Sequence, residues 1–195
     1  MLPVYAETLP RTVRALQLNG HPWVLDPVGI GMGALRTELF RGFRELTPTI
    51  VRGNASEIMA LAGHATAGKG VDSTDQSDQA IGAAQILANT CGAIVAVTGE
   101  IDYITDGARV VHVKAGDPLM TRVTGTGCAL SSVVAAFVAG CEEKDRLDAV
   151  ASACAVMAIA GQRAAAQAKG PGSFVPLFLD KLYQLDAVTL AEALA

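Results

Sequence analysis

Hydrophobic positions along the chain switch repeatedly between helical and strand spacing. Leu9, Val13, Leu16 and Leu18 predict a short amphipathic helix over 7–18, closed by Asn19-Gly20. Trp23-Val24-Leu25 reads as a strand ending at Asp26-Pro27 and running into the glycine-rich segment 28–33. A helix is predicted over 37–46 and a β-branched strand over 49–51. The next helix, 54–62, has an explicit start: Asn54 can cap it, and Glu57 three positions on completes a capping box.

Residues 63–77 are polar and glycine-bearing and read as a loop, 78–89 return to helical spacing, and 93–97 form a buried strand leading into Thr98-Gly99. Asp106-Gly107 between Tyr103-Ile104-Thr105 and Val110-Val111-His112-Val113 signals a hairpin. Two long helices, 127–139 and 144–168, precede Gly170-Pro171-Gly172-Ser173-Phe174 and a last helix over 175–183. Alternating strands and helices define an α/β class with a mainly parallel sheet. The first convincing element is a helix, so the N-terminal part of the sheet is expected to be absent.

Composition narrows the picture. The 195 residues correspond to about one domain. Hydrophobic residues make up 51% before the 20 glycines are counted, against about 45–50% with glycine included in ordinary domains, and charged residues only 17%. That excess calls for a sheet buried on both faces, a large subunit interface, or both. The net charge of −4 without a basic run argues against nucleic acid. Cys91, Cys128, Cys141 and Cys154 show neither CxxC spacing nor a nearby histidine, which disfavours zinc or a disulfide framework and fits a reducing cytoplasm. The longest apolar stretches are broken by Ser131, Ser132, Asp148 and Ser152 and fall short of about 20 residues, so they predict buried helices rather than membrane spans.

Ligands of open α/β sheets bind beyond the carboxyl ends of strands. Those ends carry Asp26, then Arg52-Gly53-Asn54-Ala55-Ser56-Glu57, then Thr98-Gly99-Glu100, and Thr124-Gly125-Thr126-Gly127-Cys128 opens the first long apolar helix. Two glycines at a helix start let backbone amides approach an anion, and a thiolate is favoured in that first turn. Neither a Walker A loop nor a GxGxxG fingerprint is present. Each residue also has an ordinary structural role open to it: a cap for Glu57, a turn for Asp26, a surface cation for Arg52, a glycine turn before a buried helix. His21, His64 and His112 have no partner in sequence and rate poorly as ligands or bases. An acid, a cation and an anion hole at strand ends are together the parts phosphoryl transfer requires.

The chain resembles the hydroxyethylthiazole kinases, members of the ribokinase-like superfamily. The matching stretches are Val24-Leu25-Asp26-Pro27-Val28-Gly29, Arg52-Gly53-Asn54-Ala55-Ser56-Glu57-Ile58, Lys69-Gly70-Val71-Asp72-Ser73, Ala96-Val97-Thr98-Gly99, Pro118-Leu119-Met120, the segment 123–128 and Gly170-Pro171-Gly172-Ser173-Phe174. The resemblance implies a single ribokinase-like three-layer α/β/α domain over 1–195. It also implies transfer of the ATP γ-phosphate, with Mg²⁺, to the hydroxyl of 4-methyl-5-(2-hydroxyethyl)thiazole by a cytoplasmic homotrimer. It assigns Arg52 and Thr98 to ATP, Gly125 to the thiazole, and Gly125, Thr126 and Gly127 to the anion hole. Glu57, in an Asn-x-x-Glu motif, and Asp26 become the Mg²⁺ candidates.

The resemblance also has departures. The family's N-terminal segment, with its first strands and a substrate-contacting methionine, has no match here, and neither Met1 nor Met32 corresponds to that methionine; the chain reads as an N-terminally truncated kinase. The family's Asn-Gly-His-Pro is Ala115-Gly116-Asp117-Pro118. A non-catalytic remnant and a related ribokinase-like enzyme, such as a hydroxymethylpyrimidine kinase or an ATP-dependent hydrate dehydratase, are the competing readings. Those relatives usually carry aspartate where Cys128 stands. A thiol of ordinary pKa ~8.5 serves as the base only if the helix start lowers that value. Cys128→Asp is therefore expected to keep or raise turnover and Cys128→Ala to lower it in a phosphoryl-transfer assay; unchanged turnover in the alanine variant removes the base assignment.

Overall fold

The computed structural model describes residues 3–63 and 73–194. His64 and the Lys69-Gly70-Val71-Asp72 part of the family match lie outside the described residues. Helix α1 (Pro3–Leu18) begins four residues before the apolar periodicity becomes readable and carries Pro10 in its interior. Strand β1 (Val24–Leu25) and helix α2 (Ala34–Glu45) follow. Strand β2 (Ile50–Asn54) is longer than expected, so Arg52, Gly53 and Asn54 belong to the strand rather than to a loop after it.

Helix α3 (Ala55–Ala62) starts directly from β2 with the expected capping box and ends at Gly63, whose φ of 90° gives the left-handed C-terminal stop. Helix α4 (Ser73–Cys91) takes in residues 73–77, which the sequence reading had assigned to a loop. Serine, threonine and aspartate favour turns and helix starts alike, so a polar first turn is hard to tell from a loop.

Strand β3 (Ile94–Thr98) leads through a tight turn into β4 (Asp102–Thr105) and β5 (Val110–Val113). The hairpin forms where Asp106-Gly107 signals it. Its turn spans 106–109, because Asp106 Oδ1 accepts the Ala108 and Arg109 amides at 3.0 and 2.7 Å. Helices α5 (Thr126–Ala139), α6 (Arg146–Ala165) and α7 (Pro171–Gln184) complete the expected set. Gly170 to Phe174 open α7 rather than precede it, with Pro171 at the first helical position, where a missing N–H costs nothing. A final helix, α8 (Ala187–Leu194), was not foreseen, although Asp186, which accepts the Thr189 amide at 2.8 Å, is a legible cap.

The five strands lie in the order β1-β2-β3-β4-β5. β1, β2 and β3 are parallel, whereas β4 and β5 add as an antiparallel hairpin, so the parallel part is confined to the three strands that carry the candidate residues. Strand alternation sorts the core into two layers. Ile50, Ala96, Ile104 and Val113 pack against α5, α6 and α7 through residues such as Leu130, Val134, Leu147 and Phe174. Leu25, Val51, Val95 and Val97 pack against α1 to α4 through Phe40, Phe43, Ile58, Leu61 and Leu87. Both faces are covered, one of the two arrangements that the apolar composition called for.

Candidate active site

The parity that builds the core also builds the site. Arg52 falls on the same face of β2 as Ile50, Thr98 on the same face of β3 as Ala96, and Asp26 continues the face of Val24, the face that α5 covers; Asn54 ends β2 with its side chain turned into the first turn of α3. The parallel register sets Arg52 beside Ala96 and Asn54 beside Thr98. Arg52 Nη2 donates to Thr98 Oγ1 at 2.7 Å, and its Nη1 stands 3.6 Å from Asp26 Oδ2. Ser131 Oγ on α5 donates to the same Asp26 oxygen at 2.7 Å. Both charged side chains are largely buried, 12% and 17% exposed, yet Asp26 Oδ1 and Arg52 Nε have no hydrogen-bond partner among the described residues.

Helix α5 begins against this pair. Gly125 precedes it with φ 98°, a left-handed conformation that glycine adopts without strain, and no side chain caps the helix. Ala129 N–H bonds to Gly125 O at 2.9 Å, so the amides of Thr126, Gly127 and Cys128 lie in the first turn, where N–H groups have no helical acceptor. A Cβ on Gly127 would stand 2.9 and 3.0 Å from the two Arg52 terminal nitrogens, so a larger residue there requires the guanidinium to shift. Thr126 Oγ1 donates to the carbonyls of Met120 and Val123, which fastens the turn to the preceding 3-10 segment Pro118–Arg122. Cys128 is exposed.

Glu57 is the capping residue its spacing predicted, and something more. Its Oε2 accepts the Asn54 amide at 2.9 Å, while Asn54 Oδ1 accepts the Glu57 amide at 2.9 Å. Its Oε1 accepts the Gly29 amide at 3.1 Å, tying the glycine-rich loop after β1 to the start of α3. Among the described residues no group of three or more His, Cys, Asp and Glu side chains is placed to hold a metal, and His21 and His112 are exposed.

A cavity of about 830 Å³ opens from Arg52, Thr98 and Gly127 toward the 3-10 segment and α6. Its far wall includes Lys114, Met157, Ala158 and Gln162, which no motif or spacing in the sequence marks, beside Met120 of the Pro118-Leu119-Met120 match. The departing Ala115-Gly116-Asp117-Pro118 segment lines it as well. Asp102 and Cys154 stand between the two ends. Asp102 Oδ1 accepts the Gly99 amide at 3.0 Å, closing the turn after β3. Burial raises the Asp102 carboxyl above its ordinary 3.8, against the pull of the Gly99 bond and the Arg52 charge. Burial and the Asp102 charge push the Cys154 thiol up to about 12, with Arg52 opposing, so it is an inert wall.

A sheet of three parallel strands with an antiparallel hairpin at its edge, set between two helix layers and bearing a charged pair at strand ends beneath a glycine-bordered helix start, is a ribokinase-like architecture. Pyridoxal kinase from Bacillus subtilis, in an ADP complex, shares the fold, with a TM-score of 0.57 at 21% identity over 80% of this chain and 59% of that one. Hydroxyethylthiazole kinase from Pyrococcus horikoshii OT3 superimposes with a TM-score of 0.87 at 32% identity, over 98% of this chain and 70% of that one. Among curated proteins, hydroxyethylthiazole kinase from Tolumonas auensis is 76% identical over 190 residues, covering 97% of this chain and 71% of its own length. The Yersinia enterocolitica enzyme of that name is 56% identical over 184 residues, 94% and 70%. The model of the hydroxyethylthiazole kinase family matches residues 3–188, and the chain belongs to that family.

Burial keeps a proton on Asp102 at pH values where the unfolded chain has released it, so stability falls as pH rises from the ordinary carboxylate range through the raised value. Asp102→Asn retains an oxygen for the Gly99 amide and removes the titration. Its gain in melting temperature over the unsubstituted chain is expected to grow as pH rises from about 4 toward 7; a constant difference across that range contradicts the assignment.

Proposed function

We propose that the chain, as one ribokinase-like domain, transfers the γ-phosphoryl group of ATP to the primary hydroxyl of 4-methyl-5-(2-hydroxyethyl)thiazole. The observation that carries this reading is Arg52, held between Asp26 and Thr98 and directly beneath Gly127, in a chain of this family. Arg52 and Thr98 bind the phosphates at the mouth of the cavity, whose far wall, with Met120, Met157 and Ala158 as apolar surface and Lys114 and Gln162 as polar groups, suits the nucleoside end of ATP. The amides of Gly125, Thr126 and Gly127 receive the oxygens of the transferring group, and Gly125 also borders the thiazole. The acceptor oxygen bonds to the γ-phosphorus as the bond to the β-phosphate oxygen breaks, ADP leaves with that electron pair, and Cys128 at the exposed edge of the turn, entering as the thiolate, takes the hydroxyl proton to become the thiol.

The donor set fits Mg²⁺. Asp26 offers a buried oxygen with no partner, and each Glu57 oxygen accepts a single amide, leaving lone pairs for the ion or its waters. The bound ion would neutralise charge on the β- and γ-phosphates. Asp26 and Glu57 are the residues to hold it.

The same reading carries the family's homotrimer and a cytoplasmic setting. Exposed Leu179 and Tyr183 on α7 are apolar surface available to such an interface. Among the described residues no helix is long and apolar enough to cross a membrane.

The test is ATP-dependent phosphorylation of hydroxyethylthiazole by the 195-residue chain and its Gly127→Ala variant. The unsubstituted chain is expected to form the phosphate ester. The variant, whose methyl group displaces Arg52 and fills the anion turn, is expected to lose roughly 10²–10³ in kcat/KM. Absence of ester from the unsubstituted chain, or native rates in the variant, contradicts the reading.

A further inference from the structure

The ion pair at the centre of the site is held open. Charge-assisted N–H···O bonds settle at about 2.7–2.9 Å, and burial strengthens them, yet Arg52 Nη1 and Asp26 Oδ2 stand 3.6 Å apart. A hydroxyl holds each partner back at 2.7 Å: Thr98 Oγ1 on the guanidinium and Ser131 Oγ on the carboxylate. Beside the pair, each partner also has a buried polar atom with no hydrogen-bond partner among the described residues, Arg52 Nε and Asp26 Oδ1.

Ser131 belongs to α5, four residues beyond Gly127, so the helix stripe that presents a bare glycine to the guanidinium also presents this hydroxyl to the acid. A helical serine commonly turns its hydroxyl back to the carbonyl four residues earlier, as Ser132 does toward Cys128 O. Ser131 instead bonds outside its helix, to a residue 105 positions away in the chain.

We infer that Ser131 is a positioning residue: its hydroxyl keeps Asp26 from closing onto Arg52, so that Asp26 Oδ1 stays available to a divalent cation and the guanidinium to phosphate. The inference rests on the reading of Asp26 as a metal-facing group given above. Without the hydroxyl, the attraction between two largely buried charges closes the pair, and Arg52 Nε and Asp26 Oδ1 turn away from the ligand.

Equilibrium binding of Mn²⁺ together with β,γ-methylene ATP, followed through the electron paramagnetic resonance of free Mn²⁺, tests this without turnover. The proteins are the full chain and its Ser131→Ala, Ser131→Thr and Asp26→Asn variants. Ser131→Ala is expected to weaken Mn²⁺ binding about tenfold or more, the range that groups standing behind a metal ligand command. Ser131→Thr, which keeps the hydroxyl, restores most of the affinity. The melting temperature of Ser131→Ala stays at or above that of the unsubstituted chain, because a closed ion pair replaces the lost bond. Ser131→Cys, with only a weak donor, is expected to show the same loss at an undiminished melting temperature, and failure of both the alanine and the cysteine variants to fold overturns the inference. Native affinity in Ser131→Ala beside weakened Asp26→Asn overturns this inference alone. Native affinity in Asp26→Asn overturns the reading of Asp26 and the inference with it. A loss of affinity in Ser131→Ala accompanied by a fall in melting temperature assigns Ser131 an ordinary structural role and also overturns it.

Discussion

A guanidinium taken out of water is costly unless its charge and its donors are met, and the Arg52 side chain is only 12% exposed. That constraint organises the molecule. Asp26 at the end of β1 supplies the charge, Thr98 at the end of β3 an acceptor, and Gly127 at the start of α5 the space. Three parallel strands must therefore stand in register and one helix must begin with glycine. The arrangement keeps some slack, an ion pair 3.6 Å wide and a guanidinium nitrogen that has no partner among the described residues.

The strand ends and the helix start were legible because each announces itself locally. Asn54 and Glu57 write a capping box, Asp26 stands before Pro27, and Gly125-Thr126-Gly127 precede a long apolar helix. Parity then does the rest: residues two apart share a face, so Ile50 in the core places Arg52 over α5. The fold's main outline followed from the same alternation, and the errors fell at ends, where polar first turns read as loops at 73–77 and Gly170-Pro171 disguised the start of α7. The antiparallel hairpin was signalled by Asp106-Gly107, but its place at the sheet edge beside β3 was not.

What stayed hidden depends on contacts between distant segments. Asp102 looks like an ordinary strand residue until the turn after β3 brings Gly99 onto its carboxylate and burial raises its pKa. Met120, Met157 and Gln162 meet only because the 3-10 segment and α6 close over the sheet. Ser131 read as a polar interruption of an apolar run, useful for excluding a membrane span; its bond to Asp26 spans most of the fold. Glu57 was legible as a cap, but its second bond was not: one carboxylate both caps α3 and holds the Gly29 loop, and its oxygens retain lone pairs.

The central claim is that Arg52 sits where it does to meet phosphate. Equilibrium binding of ATP and of adenosine to the unsubstituted chain and to Arg52→Lys addresses it most directly, because lysine keeps the charge opposite Asp26 but loses the planar fork. The account predicts that ATP affinity falls about tenfold, the worth of one charge-assisted hydrogen bond, while adenosine affinity is unchanged. Equal losses for both ligands, or no loss for ATP, contradict it.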